Sequence, residues 1–149
     1  MAPNIKREIY STFADVTASL GYSEIHGRIL GALLVAGKPV SLTELAQEIG
    51  ASVSTVSLSL DLLETLGMAR RIKRPGDRNL YVQLTGDMIN GLRTAFLTKV
   101  NKTIDDALTR FAGYRKQTKG SGVLRTLDTL EREAKRLKRY IELIAKAPL

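Results

Sequence analysis

The chain contains no cysteine and no tryptophan in 149 residues. Without thiols it forms neither disulfides nor thiolate metal sites. A single histidine, His26, rules out a histidine cluster for a metal. There is no phosphate-binding P-loop and no glycine-rich dinucleotide turn. Asp105 and Asp106 are adjacent, so on a helix they point in different directions and make a poor catalytic pair. No apolar run approaches the roughly 18 residues of a membrane span. The opening MAPNIKREIY lacks the apolar centre of a signal peptide. These absences argue against an enzyme, a resident cofactor or metal, and a membrane protein. They favour a cytoplasmic location.

What is abundant is positive charge. Twenty-three Lys and Arg stand against fifteen Asp and Glu, a net charge of +8, while 44% of residues are apolar. That is enough apolar material for a core, and the excess charge suggests a polyanion wherever it clusters.

Hydrophobic spacing predicts mostly helix. A first helix over residues 4 to 20 carries Ile5, Ile9, Phe13, Val16 and Leu20 on one stripe. A second spans about 23 to 36, with Ser23 as N-cap and Ile25, Ile29, Ala32, Leu33 and Ala36 inward. His26 near its start reads as a structural residue. Gly37 and Pro39 end that helix. A short third helix begins at Ser41, spaced from Glu44 as in a capping box, and Gly50 permits a sharp turn. Ser52 then caps a fourth helix, SVSTVSLSLDLLETLG. There Val53, Val56, Leu60 and Leu63 form the inward face, and Ser54, Thr55 and Leu58 face out without charge.

Met68 to Lys73 and Leu80 to Leu84 read as strands joined by the turn RPGDRN. A long helix is expected from about 86 to 112, with Ile89, Leu92, Phe96, Val100, Ile104, Leu108 and Phe111 on one side. Residues 113 to 122 read as a connector. A last helix, about 122 to 146, has a heptad seam of Val123, Leu127, Leu130, Ala134, Leu137, Ile141 and Ile144.

The expected fold is mainly α with a small β-hairpin: a winged helix-turn-helix at 23–85, with flanking dimerisation helices at 1–22 and 86–149. In such a unit the second helix of the pair enters the major groove, and its first turn meets base edges. Small side chains there allow close approach. Ser52, Ser54, Thr55 and Ser57 offer hydroxyls to bases or phosphates, and Leu58 suits a thymine methyl. Helix-start amides also favour phosphate. Arg70, Arg71, Lys73, Arg74 and Arg78 crowd the hairpin, offset there by Asp77. Arg71, Lys73, Arg74 and Arg78 are the candidate wing contacts, the last two at the tip, where arginine suits a narrow minor groove. Asp77 either orients Arg78 or favours the bend.

The stretch GRILGALLVAGKPVSLTELAQEIGASVSTVSLSLDLLETLGMARRIKRPGDRNLYVQL, residues 27 to 84, resembles the MarR superfamily of transcriptional regulators. It looks most like the GbsR-type branch, through its G-R-I-x-G-x-L-L-x-x-G-x-P-x-S-L opening, its V-S-x-S-L-x-x-L-E-x-L-G helix and its P-G-D-R tip. Leu84, Thr85 and Gly86 are similar to the superfamily's L-T-x-x-G passage. The resemblance implies a homodimer on a pseudo-palindromic double-stranded DNA operator, usually repressing. It places Ser54, Thr55, Ser57 and Leu58 on the recognition helix and Arg74 and Arg78 on the wing. Two departures stand out: many relatives have arginine where this chain has Leu58, and Asp77 and Arg78 are adjacent rather than separated by one residue.

A choline-like effector, which the GbsR-type branch implies, needs an aromatic cage. Tyr10, Phe13, Tyr22, Phe96, Phe111, Tyr114 and Tyr140 are the available rings, so a small-molecule effector stays open and unidentified. Three amphipathic arms outside the winged core call for a two-fold partner, which sets recognition helices about 34 Å apart. The alternatives are a nonspecific DNA-binding chromatin protein and a winged-helix protein-interaction module.

Overall fold

The structure is a computed structural model and describes residues 4–149. The elements run α1 (Ile5–Ser19), α2 (Glu24–Ala36), β1 (Val40–Ser41), α3 (Leu42–Ile49), α4 (Val53–Thr65), β2 (Ala69–Lys73), β3 (Leu80–Leu84), α5 (Met88–Gln117) and α6 (Ser121–Lys146). The three strands form one antiparallel sheet in the order β1-β3-β2. This is a winged helix-turn-helix. The chain divides into two compact units, the first ending at Leu92 and the second running from Arg93 to Leu149. The division falls inside α5, and α1 belongs to the same unit as the winged core. The expected first region, 1–22, includes residues 1–3, which lie outside the described residues.

In the first unit the caps form as residue type dictates. The Ser23 hydroxyl accepts from the Ile25 amide at 3.2 Å, and the Ser23 amide donates to His26 Nδ1 at 3.2 Å. His26 thus fills the role usually taken by a carboxylate in a capping box. Ser41 accepts from the Glu44 amide at 3.2 Å and starts α3. The core joins Ile29, Leu30 and Leu33 of α2, Leu45 of α3, Val56, Leu60 and Leu63 of α4, Met68, and Val82 of β3.

The stripe expected on α1 is rotated. Tyr10, Ala14 and Thr17 are buried, whereas Ile5 is 61% and Val16 38% exposed. The cause is the crossing with α2. A methyl at Gly27 would run into the Phe13 carbonyl, and one at Gly31 would press on Tyr10 Cα. Helices approach this closely only through small residues, so Ala14 faces Gly27; Ile9 and Phe13 stay half-buried against the core, and only Ile5 and Val16 of the stripe turn outward. Tyr10 then donates to Glu48 on α3 at 2.8 Å. Burial and that bond push the phenol up to about 12.

Strand β1 was not expected. Its two residues carry no periodicity, and it exists only because Val40 and Ser41 pair with Val82 and Tyr81. Val53 also departs from the sequence reading: it is 43% exposed instead of inward, because it lies in the first turn of α4 beyond the reach of the core.

In the second unit α5 and α6 pack through Leu97, Ile104 and Ile141, with Val100, Leu108 and Ala134 around them. The pairs Arg115–Asp128 and Lys138–Asp105 show that they run antiparallel. Along the α6 heptad, Leu127 and Ile141 are buried, but Val123, Leu130, Leu137 and Ile144 are exposed. One edge of the seam meets α5 and the other is left exposed. The connector is also shorter than expected, since helix continues to Gln117 and resumes at Ser121. Arg115 grips both Asp128 and Glu131 of α6, and cations in the last turn of α5 suit its dipole, which outweighs the cost of Gly113.

Candidate nucleic-acid interface

Gly50 closes α3 in left-handed geometry, and Ser52 opens α4 two residues later. The Ser52 hydroxyl accepts from the Thr55 amide at 3.1 Å and donates to Thr55 Oγ1 at 2.8 Å, with Ser54 Oγ at 3.3 Å. Three of the expected contact residues therefore form one hydroxyl cluster at the helix start. All three are exposed. Leu58, one turn further on, is 74% exposed, the highest value among the large apolar side chains of the described residues. No charged residue interrupts α4 before Asp61.

Ser57 sits apart from this cluster. Its hydroxyl lies 3.2 Å from Arg71 Nη2, which also donates to its carbonyl. The same guanidinium reaches Asp61 at 2.9 Å and pairs with Glu64. Arg71 thus ties β2 to the second half of α4 and neutralises both of that helix's carboxylates. The alternation of the strand carries the signal: Arg71 shares a strand face with buried Ala69. Sequence reasoning grouped it with the wing cations, but its charge is already engaged.

The remaining wing cations differ. Arg70 faces Gln83 across the hairpin; with the amide oxygen turned toward it, Gln83 accepts from Nε at 2.7 Å and Nη2 at 2.6 Å. Lys73, Arg74 and Arg78 are exposed. The Arg74 guanidinium lies 4.0 Å over the Tyr81 ring, a cation–π contact. Asp77 accepts from the Asn79 amide at 2.9 Å and from the Tyr81 hydroxyl at 2.8 Å. The Asn79 amide bond, then the Tyr81 hydroxyl, hold the Asp77 carboxyl below its usual range, and the same bond raises the Tyr81 phenol. Among the described residues Asp77 makes no ion pair with Arg78, so it acts as the turn residue. Tyr81 was missed from sequence. It joins Arg74 and Asp77 into a braced tip from which Arg78 projects.

Residues 20–78 match the model of the MarR family. No curated protein matches the chain in sequence. Among solved structures, a crystal structure of a transcriptional regulator is 21% identical, covers 95% of each chain and has a TM-score of 0.67. Two others are lower in likeness. NadR in complex with 4-hydroxyphenylacetate is 24% identical over 91% of this chain and 94% of that one, with TM-score 0.46. A mutant MarR from E. coli complexed with operator DNA is 17% identical over 87% of each chain, with TM-score 0.43.

Proposed function

We propose that this chain, with its MarR-family segment at residues 20–78, is a sequence-specific double-stranded DNA-binding transcription regulator, a homodimeric repressor of the GbsR-like branch. One observation carries the reading: an exposed, uncharged first turn of α4 stands in the same unit as the exposed cations Lys73, Arg74 and Arg78. Ser54, Thr55 and Leu58 read base edges, and the wing arginines grip phosphate or the minor groove. Ser57 and Arg71 hold the recognition helix rather than the DNA. The GbsR-like assignment rests on the motifs in residues 27–84.

The dimer is supported by apolar surface left open in each unit. In the first this is Ile5 and Val16 of α1; in the second it is Val123, Leu130, Leu137 and Ile144 of α6. Pairing of identical faces buries such surface without making an open chain of contacts. A cavity of about 610 Å³ lined by Lys6, Tyr10, Val35, Lys38, Glu44 and Glu48 is available to an effector. Tyr10 lines it but is bonded to Glu48, so it does not act as the wall of an aromatic cage.

Selection from random duplexes tests the reading. A pseudo-palindrome with half-sites about one helical turn apart, bound at least roughly 10³-fold better than random sequence, is the expected result. Recovery of unrelated sequences would leave the chromatin-protein alternative, which is favoured by one observation: the net positive charge lies outside the winged unit.

A further inference from the structure

The winged unit has no net charge. Up to Leu92 the chain carries nine Lys and Arg and nine Asp and Glu; from Arg93 to Leu149 it carries fourteen against six. The whole +8 therefore belongs to the second unit, in α5, α6 and Lys119 between them. On α6 it is ordered. Arg125, Arg132, Arg139 and Lys146 recur every seven residues, and all are exposed. This row lies on the side of α6 opposite Ala134 and Ile141, which pack on α5, and opposite buried Leu127 in the same heptad position. At 1.5 Å per residue it extends about 32 Å, close to one turn of duplex DNA.

The acids that would cancel the row are mostly taken. Arg115 of α5 engages Asp128 at 2.6 Å and Glu131 at 3.2 Å. Glu133 lies 3.7 Å from Arg136, outside the row, and within it touches only Arg132, at 4.0 Å. Glu142 is the acid that remains beside the row. Arg125, Arg139 and Lys146 form no ion pair among the described residues. The geometry points to a second, sequence-independent contact: we infer that the outer face of α6 binds the phosphate backbone of double-stranded DNA. An anionic membrane fits less well. With the open edge of Val123, Leu130, Leu137 and Ile144 in lipid, a row on the opposite side of a helix about 10 Å wide would face water rather than headgroups. The choice of DNA among polyanions rests on the function proposed above; the existence of the cationic face does not.

The test uses the full chain and two triple variants with equal loss of charge. One is R125Q/R132Q/R139Q. The other is K6Q/R7Q/K38Q, which removes three cations of the winged unit that lie outside the proposed interface. Binding to a random 30-base-pair duplex is followed by anisotropy across salt, with circular dichroism as the check on folding. The α6 variant should lower the slope of log affinity on log salt by about 2 to 3, at about 0.9 per lost phosphate contact, and the control variant by clearly less. Equal slopes in the two variants overturn the inference. So does an α6 variant that keeps its DNA slope but loses binding to vesicles of phosphatidylserine and phosphatidylcholine, or to an acidic peptide. If the α6 slope falls while the wild-type chain shows no preferred site, the inference stands and the specific-repressor reading fails. If a preferred site is kept and the slope does not move, the reverse holds.

Discussion

The winged unit and the α5–α6 unit distribute the same two resources in opposite ways. The first has a deep core, in which Ile29, Leu30, Val56, Leu60 and Val82 are 0% exposed, and its charges balance. The second has a thin seam whose buried members, Leu97, Ile104, Leu127 and Ile141, retain 4 to 8% exposure, and it holds the whole charge excess. A core that is closed on all sides fixes the first turn of α4 against its own framework. A helix pair closed on one edge leaves apolar and cationic surface for partners. Cation clustering along the wing is real, yet it is offset by acids elsewhere in the same unit, among them Asp61 and Glu64 on α4 itself.

Breaking the deep core should have the largest effect. Leu60→Ala is expected to cost about 3 to 5 kcal/mol in urea unfolding, and Ile104→Ala about 2 kcal/mol, because a partly open site relaxes more easily. Equal costs would remove the contrast between the units. Gly27→Ala should cost about 1 to 3 kcal/mol, since the added methyl meets the backbone of α1 rather than a mobile side chain. Hydrogen exchange should place that loss in α1 and α2 and leave residues 97–141 unchanged.

Arg71→Ala should weaken DNA binding by roughly tenfold, about 1.4 kcal/mol, by baring Asp61 and Glu64 toward a polyanion. Arg71→Lys should recover only part of this, because a point charge cannot span Ser57, Asp61 and Glu64 together. Full binding by Arg71→Ala in anisotropy would reject the bracing role. Arg78→Ala should lower affinity for all sequences alike and reduce the salt slope by about 0.9, whereas Leu58→Ala should change preference at particular base pairs and leave the slope alone.

The smallest effect concerns pH. The folded-state pKa of Asp77 is depressed, so the stabilisation of the tip is complete above the unfolded carboxylate value of about 3.9 and is lost as pH falls through the folded value. Amide protection at Asn79 should fall over that acid window in the wild type. Tyr81→Phe removes one of the two bonds that depress the pKa, and it should begin to lose protection at higher pH. Coincident profiles would show that the hydroxyl bond does not hold the tip.

Element types were legible because each had a local cause. Caps at Ser23, Ser41 and Ser52, glycines at 37 and 50, and the Pro75-Gly76 turn act over a few residues. The exposed first turn of α4 was legible too, from the absence of charge between Ser52 and Asp61. Strand β1 was hidden because two residues have no period, and Tyr81 because its partners are reached only once the hairpin closes.

The sequence by itself determined which residues share a helix face, where helices start and stop, and which chemistry the α4 turn and wing tip present. The tertiary structure decided which shared face meets a neighbour. It rotated α1 to bring Ala14 against Gly27, turned Arg71 inward onto α4, closed one edge of the α6 heptad and left the other open, and separated a neutral winged unit from a cationic helix pair. The physical reason is that periodicity is a property of one element, whereas closest approach and charge compensation depend on the surfaces of two.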